Sequence, residues 1–385
     1  MASKNIREQY SSIQSDPFPS TIRLSYGDES FGSEIVFEKV VWTVDGETRG
    51  LRYGENPHQE AALYRPVNGN VVIAGVEYIH PGNGLVTDAE LLHSGKHPSK
   101  INITDVDSAL GILAHLHQEP ATVIVKHNNP CGAAQRETLR ESYSAAFEAD
   151  PVAAFGGAVV CNREMDVATA GEISSRYCEV VAAPEYGQGS LDILKKKKNL
   201  RVLRIRRMDR LGEYLSMPYI DLHSLMDGGL VIQRSYHTRI RSVDDFLPAE
   251  ATTKESTLRC DREATAAELE DLLFGWRVET GITSNSVLFV KNRTTIGIGT
   301  GEQDRVGVAE IAARKAGRTG DSSLKGAVMV SDGFFPFRDG VEVGLREGVT
   351  AVAQPGGSIR DREVIEACNE YSAAMVFTGE RSFRH

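Results

Sequence analysis

The pattern of apolar and polar positions changes along this chain. Residues 1 to about 45 are polar and loosely patterned, but TIRLSYGDES and EIVFEKVVWTV alternate enough to predict strands. From Arg52 to about Val160 the helical and strand periods mix. DVDSALGILAHLHQ has apolar residues at helical spacing and opens on Asp105, a residue suited to an N-cap. In ATVIVKHNNPCG, TVIV reads as a short buried strand expected to stop at the turn-prone NNPCG. ETLRESYSAAFEAD reads as a helix, and DPVAAFGGAVVCN as a Gly-Gly loop feeding another strand. Lys195 to Lys198 follow an apolar helix and read as its solvated, dipole-favoured C-terminus.

Residues 235 to 262 are polar and predict a surface connection. TAAELEDLLFGWRVE predicts an amphipathic helix, and SNSVLFVKNRTTIGIGTG a hairpin turning at Lys291 to Arg293. After residue 306, helix and strand alternate through VAEIAARKA, GAVMVSD, VEVGLREG, TAVAQ, DREVIEACNEY and AAMVFTG. That order implies a layered α/β unit with a largely parallel sheet.

With 385 residues the chain is long enough for two or three compact units. A formal net charge of -10 speaks against a large nucleic-acid surface, which needs a basic face, but leaves room for a small anionic ligand. No apolar run approaches the roughly 18 to 20 residues of a membrane span, and MASKNIREQYSSIQSD has no apolar signal region. Cys131, Cys161, Cys178, Cys260 and Cys368 are scattered, with no C-x-x-C pair, so a reduced, cytoplasmic chain is expected.

Four segments can carry chemistry. Lys126-His127-Asn128-Asn129-Pro130-Cys131-Gly132 lies at a predicted strand end, where α/β proteins bind ligands. It offers a base beside a cation, or simply a surface Lys and a turn His. Arg52-Tyr53-Gly54-Glu55-Asn56-Pro57-His58-Gln59 is a polar loop or a phosphate and ribose site, because Arg can grip phosphate through two hydrogen bonds. Ser331-Asp332-Gly333-Phe334-Phe335-Pro336-Phe337-Arg338-Asp339 offers an aromatic wall for a flat ligand, or core packing. Arg381-Ser382-Phe383-Arg384-His385 either frays or docks into a site. Two other patterns carry less. GIGTG lacks a full G-x-G-x-x-G before a helix, and hairpin glycines explain it. His58-x-Glu60 and Pro130-Cys131 form half of a zinc deaminase signature, but no cysteine sits three places after Cys131, so zinc is not expected.

Taken together and in order, LRYGENPHQ, INITDVDSAL, VKHNNPCG, DPVAAFGG, APEY, LEDLLFGW, SNS, SDGFFPFRDG, QPGGSIRD and the terminal FRH resemble the formyltransferase half of the bifunctional AICAR transformylase/IMP cyclohydrolase family, from about Arg52 to His385. The resemblance implies an α/β fold of two cytidine deaminase-like three-layer units with a helical connection and no zinc. On this chain the implied layout is an N-terminal extension (1–45), a first unit (46–230), a helical and hairpin connecting region (231–305) and a second unit (306–385). It also implies transfer of the formyl group of 10-formyltetrahydrofolate, as co-substrate, to the 5-amino group of AICAR in purine synthesis. Lys126 and His127 match the family's catalytic pair, Asn285 the substrate-orienting Asn, and His385 the terminal His near the amine. Arg52, Tyr53, Asn102, Phe334, Arg381 and Phe383 fall where the family holds AICAR. Gly156, Arg305, Pro336 and Asp339 fall near the folate. A homodimer with interfacial sites, and room for a potassium ion, follow from the same resemblance.

The chain also departs from the family. Residues 1 to 45 are too few for the cyclohydrolase domain, so the reaction is expected to stop at the formylated product unless a separate IMP cyclohydrolase closes the ring. Bacterial relatives often carry K-H-V-K where Thr280-Gly281-Ile282-Thr283 stand here, Ala153 replaces a Ser, and GEQDR replaces Q-M-S-R, which puts Asp304 beside the folate region. Two rival readings remain at this stage: a different hydrolase or deaminase on the same scaffold, and a non-catalytic nucleotide-binding paralogue.

Overall fold

A computed structural model describes residues 15–27, 33–68, 72–73, 75–77, 82–254, 256–319 and 324–385. In chain order the first main elements are strands β1 (Thr21–Tyr26), β2 (Ser33–Lys39), β3 (Tyr64–Pro66) and β4 (Glu90–His93), then helix α1 (Lys100–His115). Strands β5 (Ala121–Lys126) and β6 (Asn129–Gln135) precede α2 (Leu139–Glu148), β7 (Ala158–Cys161), α3 (Val167–Ser175), β8 (Val180–Ala183), α4 (Ser190–Lys195) and β9 (Arg201–Arg204). Strands β10 (Ile220–Ser224), β11 (Leu230–Arg234) and β12 (Leu247–Pro248) lead to α5 (Ala266–Glu279), β13 (Val287–Val290), β14 (Thr295–Gly299) and α6 (Arg305–Ala316). The chain ends with β15 (Val328–Ser331), α7 (Arg338–Arg346), β16 (Ala351–Gln354), α8 (Asp361–Glu370) and β17 (Ala374–Phe377).

These elements group into two units: Met1–Leu110 with Ala158–His237, and Gly111–Gly157 with Thr238–His385. In the first unit, β7, β8 and β9 pair in parallel and β4 pairs antiparallel with β9. AVVC and VVAA are buried along their whole lengths, the texture of strands covered on both faces. The strand readings of TIRLSYGDES and EIVFEKVVWTV hold at β1 and β2, which form an antiparallel sheet with β3. Helix α1 starts before Asp105, so Asp105 is not its N-cap. The Asn102 amide donates to Ser99 Oγ and the Ser99 amide to Asn102 Oδ1, a reciprocal cap that the apolar spacing did not reveal.

The second unit holds a six-stranded sheet in the order β12-β17-β16-β15-β13-β14. Strands β15, β16 and β17 run parallel, as the alternating pattern implied, but β12, β13 and β14 pair antiparallel, so the sheet is mixed rather than largely parallel. Their inward residues, with those of the helices, form a core that includes Val287, Phe289, Val308, Met329, Phe335 and Val352. Each such fully buried large apolar side chain contributes about 1.5–3 kcal/mol over an exposed one. Thr265 and Glu268 cap α5 with a capping box. The helix is less two-faced than its sequence suggests: Leu272 through Trp276, Val278 and Glu279 are all buried, so its last turns are enclosed on every side.

Two hairpins of the second unit share one design. β5 and β6 join through His127 and Asn128, both left-handed (φ 56° and 61°), with Asn129 opposite Lys126. Two successive left-handed residues make the turn that matches the twist of a hairpin. The strand does end near the predicted point, but NPCGAAQ continues as β6 rather than as a turn. A register shift between Pro130 and Gly132 accommodates the proline. The hairpin of β13 and β14 turns at Asn292 and Arg293 (φ 52° and 51°), within the predicted span. Asp271 of α5 accepts both turn amides, at 2.8 and 2.6 Å. The hairpins abut, with the Ala133 amide donating to Thr295 Oγ1 at 3.0 Å.

The GIGTG glycines do more than turn a hairpin. A Cβ on Gly297 would lie 2.3 Å from the Ala312 carbonyl oxygen, and one on Gly299 2.1 Å from that of Val308. Helix α6 therefore lies directly on the backbone of β14. Gly299→Ala is expected to destabilise the protein by about 1–3 kcal/mol through overpacking. A denaturant midpoint unchanged by that substitution would contradict this packing. Along the chain, the order helix, hairpin, helix, strand, helix, strand, helix, strand occurs twice, from α1 to β9 and from α5 to β17.

Candidate functional site

The β5–β6 turn sets the first position in the second unit. His127 is exposed at its tip and Lys126 is half-buried below it. Lys126 Nζ donates to the Phe155 carbonyl oxygen at 2.8 Å, beside Gly156, which is left-handed (φ 80°). An ammonium has three donors, and this bond uses one of them. Asp150 caps the short helix Pro151–Ala154 by accepting the Ala153 amide at 3.0 Å. That cap uses backbone, so Ala153 serves it as well as a serine would.

Asn129, opposite Lys126, ties the turn to the next segment. Its Oδ1 accepts from the Thr283 amide and the Thr300 hydroxyl, both at 2.9 Å. Thr283 leads into Ser284-Asn285-Ser286. Asn285 Nδ2 donates to the Glu302 carbonyl oxygen at 2.9 Å, and Arg305 Nη2 donates to Asn285 Oδ1 at 2.7 Å. Arg305 Nη1 reaches the Ser286 carbonyl oxygen and Ser331 Oγ, both at 3.1 Å, and forms an ion pair with Asp332. Asp332 is fully buried and also accepts from Ser284 Oγ at 2.6 Å. A buried carboxylate persists only when paired and hydrogen-bonded in this way. Arg305, at the start of α6, thus holds the Asn285 amide in a set orientation.

The chain terminus is docked rather than frayed. The Ser382 amide donates to the Asp332 carbonyl oxygen and the Ser284 amide to that of Arg384, both at 2.9 Å. Arg384 Nη1 donates to the Gly281 carbonyl oxygen at 2.7 Å. The Phe383 and His385 rings meet at 67° with centroids 6.3 Å apart, and the Arg381 guanidinium lies 4.6 Å above the Phe383 ring. The aromatic loop divides its side chains. Phe335 is buried in the core, while Phe334 and Phe337 are 45% and 49% exposed. Core packing therefore holds for Phe335, while Phe334 and Phe337 present exposed rings. Pro336 is half-buried and Asp339 exposed, its Oδ1 accepting the Gly340 amide at 2.8 Å. A Cβ on Gly333 would meet Arg305 Nη2 at 2.4 Å and the Phe383 ring at 2.9 Å, which places the aromatic loop against the docked terminus.

The other sequence-selected residues lie in the first unit. Arg52 is buried, with Nη2 donating to the Tyr53 hydroxyl at 3.0 Å and its guanidinium 4.5 Å over the Tyr53 ring. Asn102 Nδ2 donates to Glu179 Oε2 at 3.1 Å, and Arg201 Nη1 lies 3.7 Å from the same oxygen. Burial, then the charges of Arg52 and Arg201, pull the Lys96 ammonium below its ordinary range. Burial, then Arg52, do the same to Arg201. Lys96 and Arg201 thus both feel the Glu179 carboxylate, and Arg52 adds positive charge beside them, an arrangement that favours an incoming anion. Motif reading selected Arg52, Tyr53 and Asn102 but missed Lys96, Glu179 and Arg201, which lie in no motif. The only sequence signal was charge on otherwise apolar or turn segments.

Glu279 was missed as well. Burial, then the charge of Asp332, raise its carboxyl well above the ordinary range. Folding takes up a proton that the unfolded chain releases above the usual carboxylate range. Stability from this group is therefore highest at acid pH and falls as pH rises toward the raised value. Glu279→Gln removes that slope, so its stability gain over the parent protein should be larger at about pH 8 than at about pH 5. Parallel denaturation curves at the two pH values would contradict the assignment.

Among the described residues, no group of three or more His, Cys, Asp or Glu side chains stands where it could hold a metal ion. Among them, too, no helix is long and apolar enough to cross a membrane.

Residues 24–315 match the family model described as the AICARFT/IMPCHase bienzyme. The bifunctional purine biosynthesis protein PurH of Acetivibrio thermocellus is 39% identical over 385 residues, which is 100% of this chain and 64% of that protein. Its counterpart in Persephonella marina is 40% identical over 370 residues, 96% of this chain and 65% of that protein. The Aquifex aeolicus counterpart is 42% identical over 335 residues, 87% of this chain and 59% of that protein. The chain thus spans less than two thirds of the length of these curated relatives.

Proposed function

Because this chain belongs to the AICARFT/IMPCHase bienzyme family, we propose that it transfers the formyl group of 10-formyltetrahydrofolate to the 5-amino group of AICAR. The products are the formamido ribonucleotide and tetrahydrofolate. The proposal is confined to formyl transfer, and ring closure is not assigned to these residues. The reading includes two cytidine deaminase-like units without zinc, which the twice-repeated element order supports. It also includes a homodimer, since Leu222, Leu230, Val231 and Ile232 of the β10–β11 ribbon are exposed apolar surface that a second copy would cover.

In this reading His127 accepts a proton as the amine nitrogen attacks the formyl carbon. The amine is conjugated with its ring and carboxamide, which makes it a weak nucleophile and gives base assistance its value. The C–N10 bond then breaks. Lys126 meets the negative charge on the tetrahedral oxygen or supplies the proton to N10. Asn285, with its amide fixed by Arg305, positions the acceptor. His385 is assigned a place near the reacting amine, and the exposed rings of Phe334 and Phe383 supply flat apolar surface. Arg381 and the Arg52 cluster are suited to the phosphate, while Gly156, Pro336 and Asp339 are assigned to the folate. Holding two flat reactants in register supplies much of the remaining acceleration.

The observation that carries this reading is the hydrogen-bonded run from Asn129 through Thr283 and Ser284 to Arg384. It holds the Lys126–His127 turn, Asn285 and the terminal segment in one constellation. The test is spectrophotometric: tetrahydrofolate release should require AICAR, 10-formyltetrahydrofolate and the protein together. AICAR binding without release would favour a non-catalytic binder.

A further inference from the structure

Glu279 closes α5, is completely buried, and plays no part in the mechanism above. Its Oε1 accepts from Ser286 Oγ at 2.8 Å, while Oε2 is buried with no hydrogen-bond partner. A half-satisfied buried acid stabilises a fold less than an apolar side chain of similar size would. Its neighbours supply another reason for it. Ser286 gives its carbonyl oxygen to Arg305 Nη1, and Nη2 of the same guanidinium holds Asn285 Oδ1. On the other side, Asp332 pairs with Arg305 and accepts from Ser284 Oγ. Two acids therefore bracket the tripeptide Ser284-Asn285-Ser286, Asp332 through the first serine and Glu279 through the last.

Burial and the nearby Asp332 charge favour the neutral form of Glu279. It thus contributes hydrogen bonding without a second negative charge and leaves the Arg305 cation to Asp332.

We propose that Glu279 is a positioning residue for formyl transfer: it fixes Ser286, so that Arg305 presents the Asn285 amide in the orientation the acceptor requires. This inference rests on the formyl-transfer reading. It adds to that reading a residue six positions before Asn285 that acts through Ser286 and Arg305.

The test compares the full chain with Glu279→Gln, Glu279→Val, Ser286→Ala and the double variant Glu279→Val/Ser286→Ala. Steady-state transfer from 10-formyltetrahydrofolate to AICAR and thermal unfolding are measured for each. Gln offers Ser286 the same acceptor and should stay within about 2-fold of the parent kcat. Glu279→Val and Ser286→Ala should each lower kcat about 10-fold, with KM for the folate unchanged, as expected for small misplacement of a positioned group. The double variant should be no worse than either single one, because the residues act as a unit. The thermal midpoint of Glu279→Val should not fall. Parental kcat in Glu279→Val would overturn the inference, as would an equal loss in Glu279→Gln or losses that track thermal midpoints. If the unsubstituted chain transfers no formyl group, the functional reading fails and takes this inference with it. Active parent protein beside an indifferent Glu279→Val variant would sink the inference alone.

Discussion

Replacing His127 lowers kcat by about 10²-fold or more while AICAR affinity stays close to that of the parent protein. The expectation follows from placing the imidazole where it takes the amine proton but holds no other part of the nucleotide. The turn geometry dictates how the experiment is done. His127 is left-handed (φ 56°), a conformation that costs alanine about 1 kcal/mol or more. Ala alone would therefore mix loss of the base with strain in the turn that carries Lys126. Asn accepts this conformation far more readily, so His127→Asn keeps the turn and removes the base. Both variants should lose kcat to a similar extent in steady-state assays, with calorimetry showing retained AICAR binding. Turnover near the parental rate in His127→Asn would refute the general-base role.

The second large effect is on stability. Asp332→Ala leaves the Arg305 guanidinium buried without its counter-charge, and loss of one partner of such a pair costs about 3–5 kcal/mol. Ser284 Oγ loses its acceptor in the same variant. Surface pairs offer the control. Arg23 and Glu34 approach to 2.7 Å but remain 64% and 38% exposed, and removing such a pair costs about 0–1 kcal/mol. Chemical denaturation should show a large loss for Asp332→Ala and almost none for Glu34→Ala. Equal losses would mean that the Arg305 pair is not the anchor described here.

Much of this architecture is legible in the amino-acid order, for identifiable reasons. The parallel strands VMVS, AVAQ and AMVF are short apolar runs between amphipathic helices, and the sequence pattern marks them directly. The turn at Asn292 falls between two apolar strands, so its hairpin is visible. β6 is not, because NPCGAAQ holds a proline, a glycine and small residues in place of branched ones. It becomes a strand because the two residues before it adopt left-handed conformations and because α2 packs on Gly132, where a Cβ would lie 2.0 Å from the Ala146 carbonyl oxygen. The start of α1 is hidden because Ser99 and Asn102 cap it outside the apolar spacing. Likewise, nothing in the order of residues says that Gly111–Gly157 belongs with the C-terminal segment.

The candidate site divides in the same way. Lys126, His127, Asn285, Phe334 and His385 stand in compact runs whose composition attracts notice. Arg201, Lys96 and Glu179 come together only through the sheet and loops that carry them. Glu279 looks like an ordinary polar helix end until burial and Ser286 give it a role. Arg305 was assigned to the folate region from the resemblance, and its visible partners are Asn285, Ser286, Ser331 and Asp332. Contiguous chemistry can be read from sequence, whereas charges assembled by tertiary contact cannot.

The most direct measurement follows the formyl group itself. The purified chain is incubated with AICAR and 10-formyltetrahydrofolate carrying a carbon-13 formyl label, and the nucleotide is recovered for mass spectrometry and carbon NMR. The account predicts a labelled formamide on the former 5-amino nitrogen, formed in step with tetrahydrofolate. Unchanged AICAR, with the label left on the folate or lost as free formate, would contradict it.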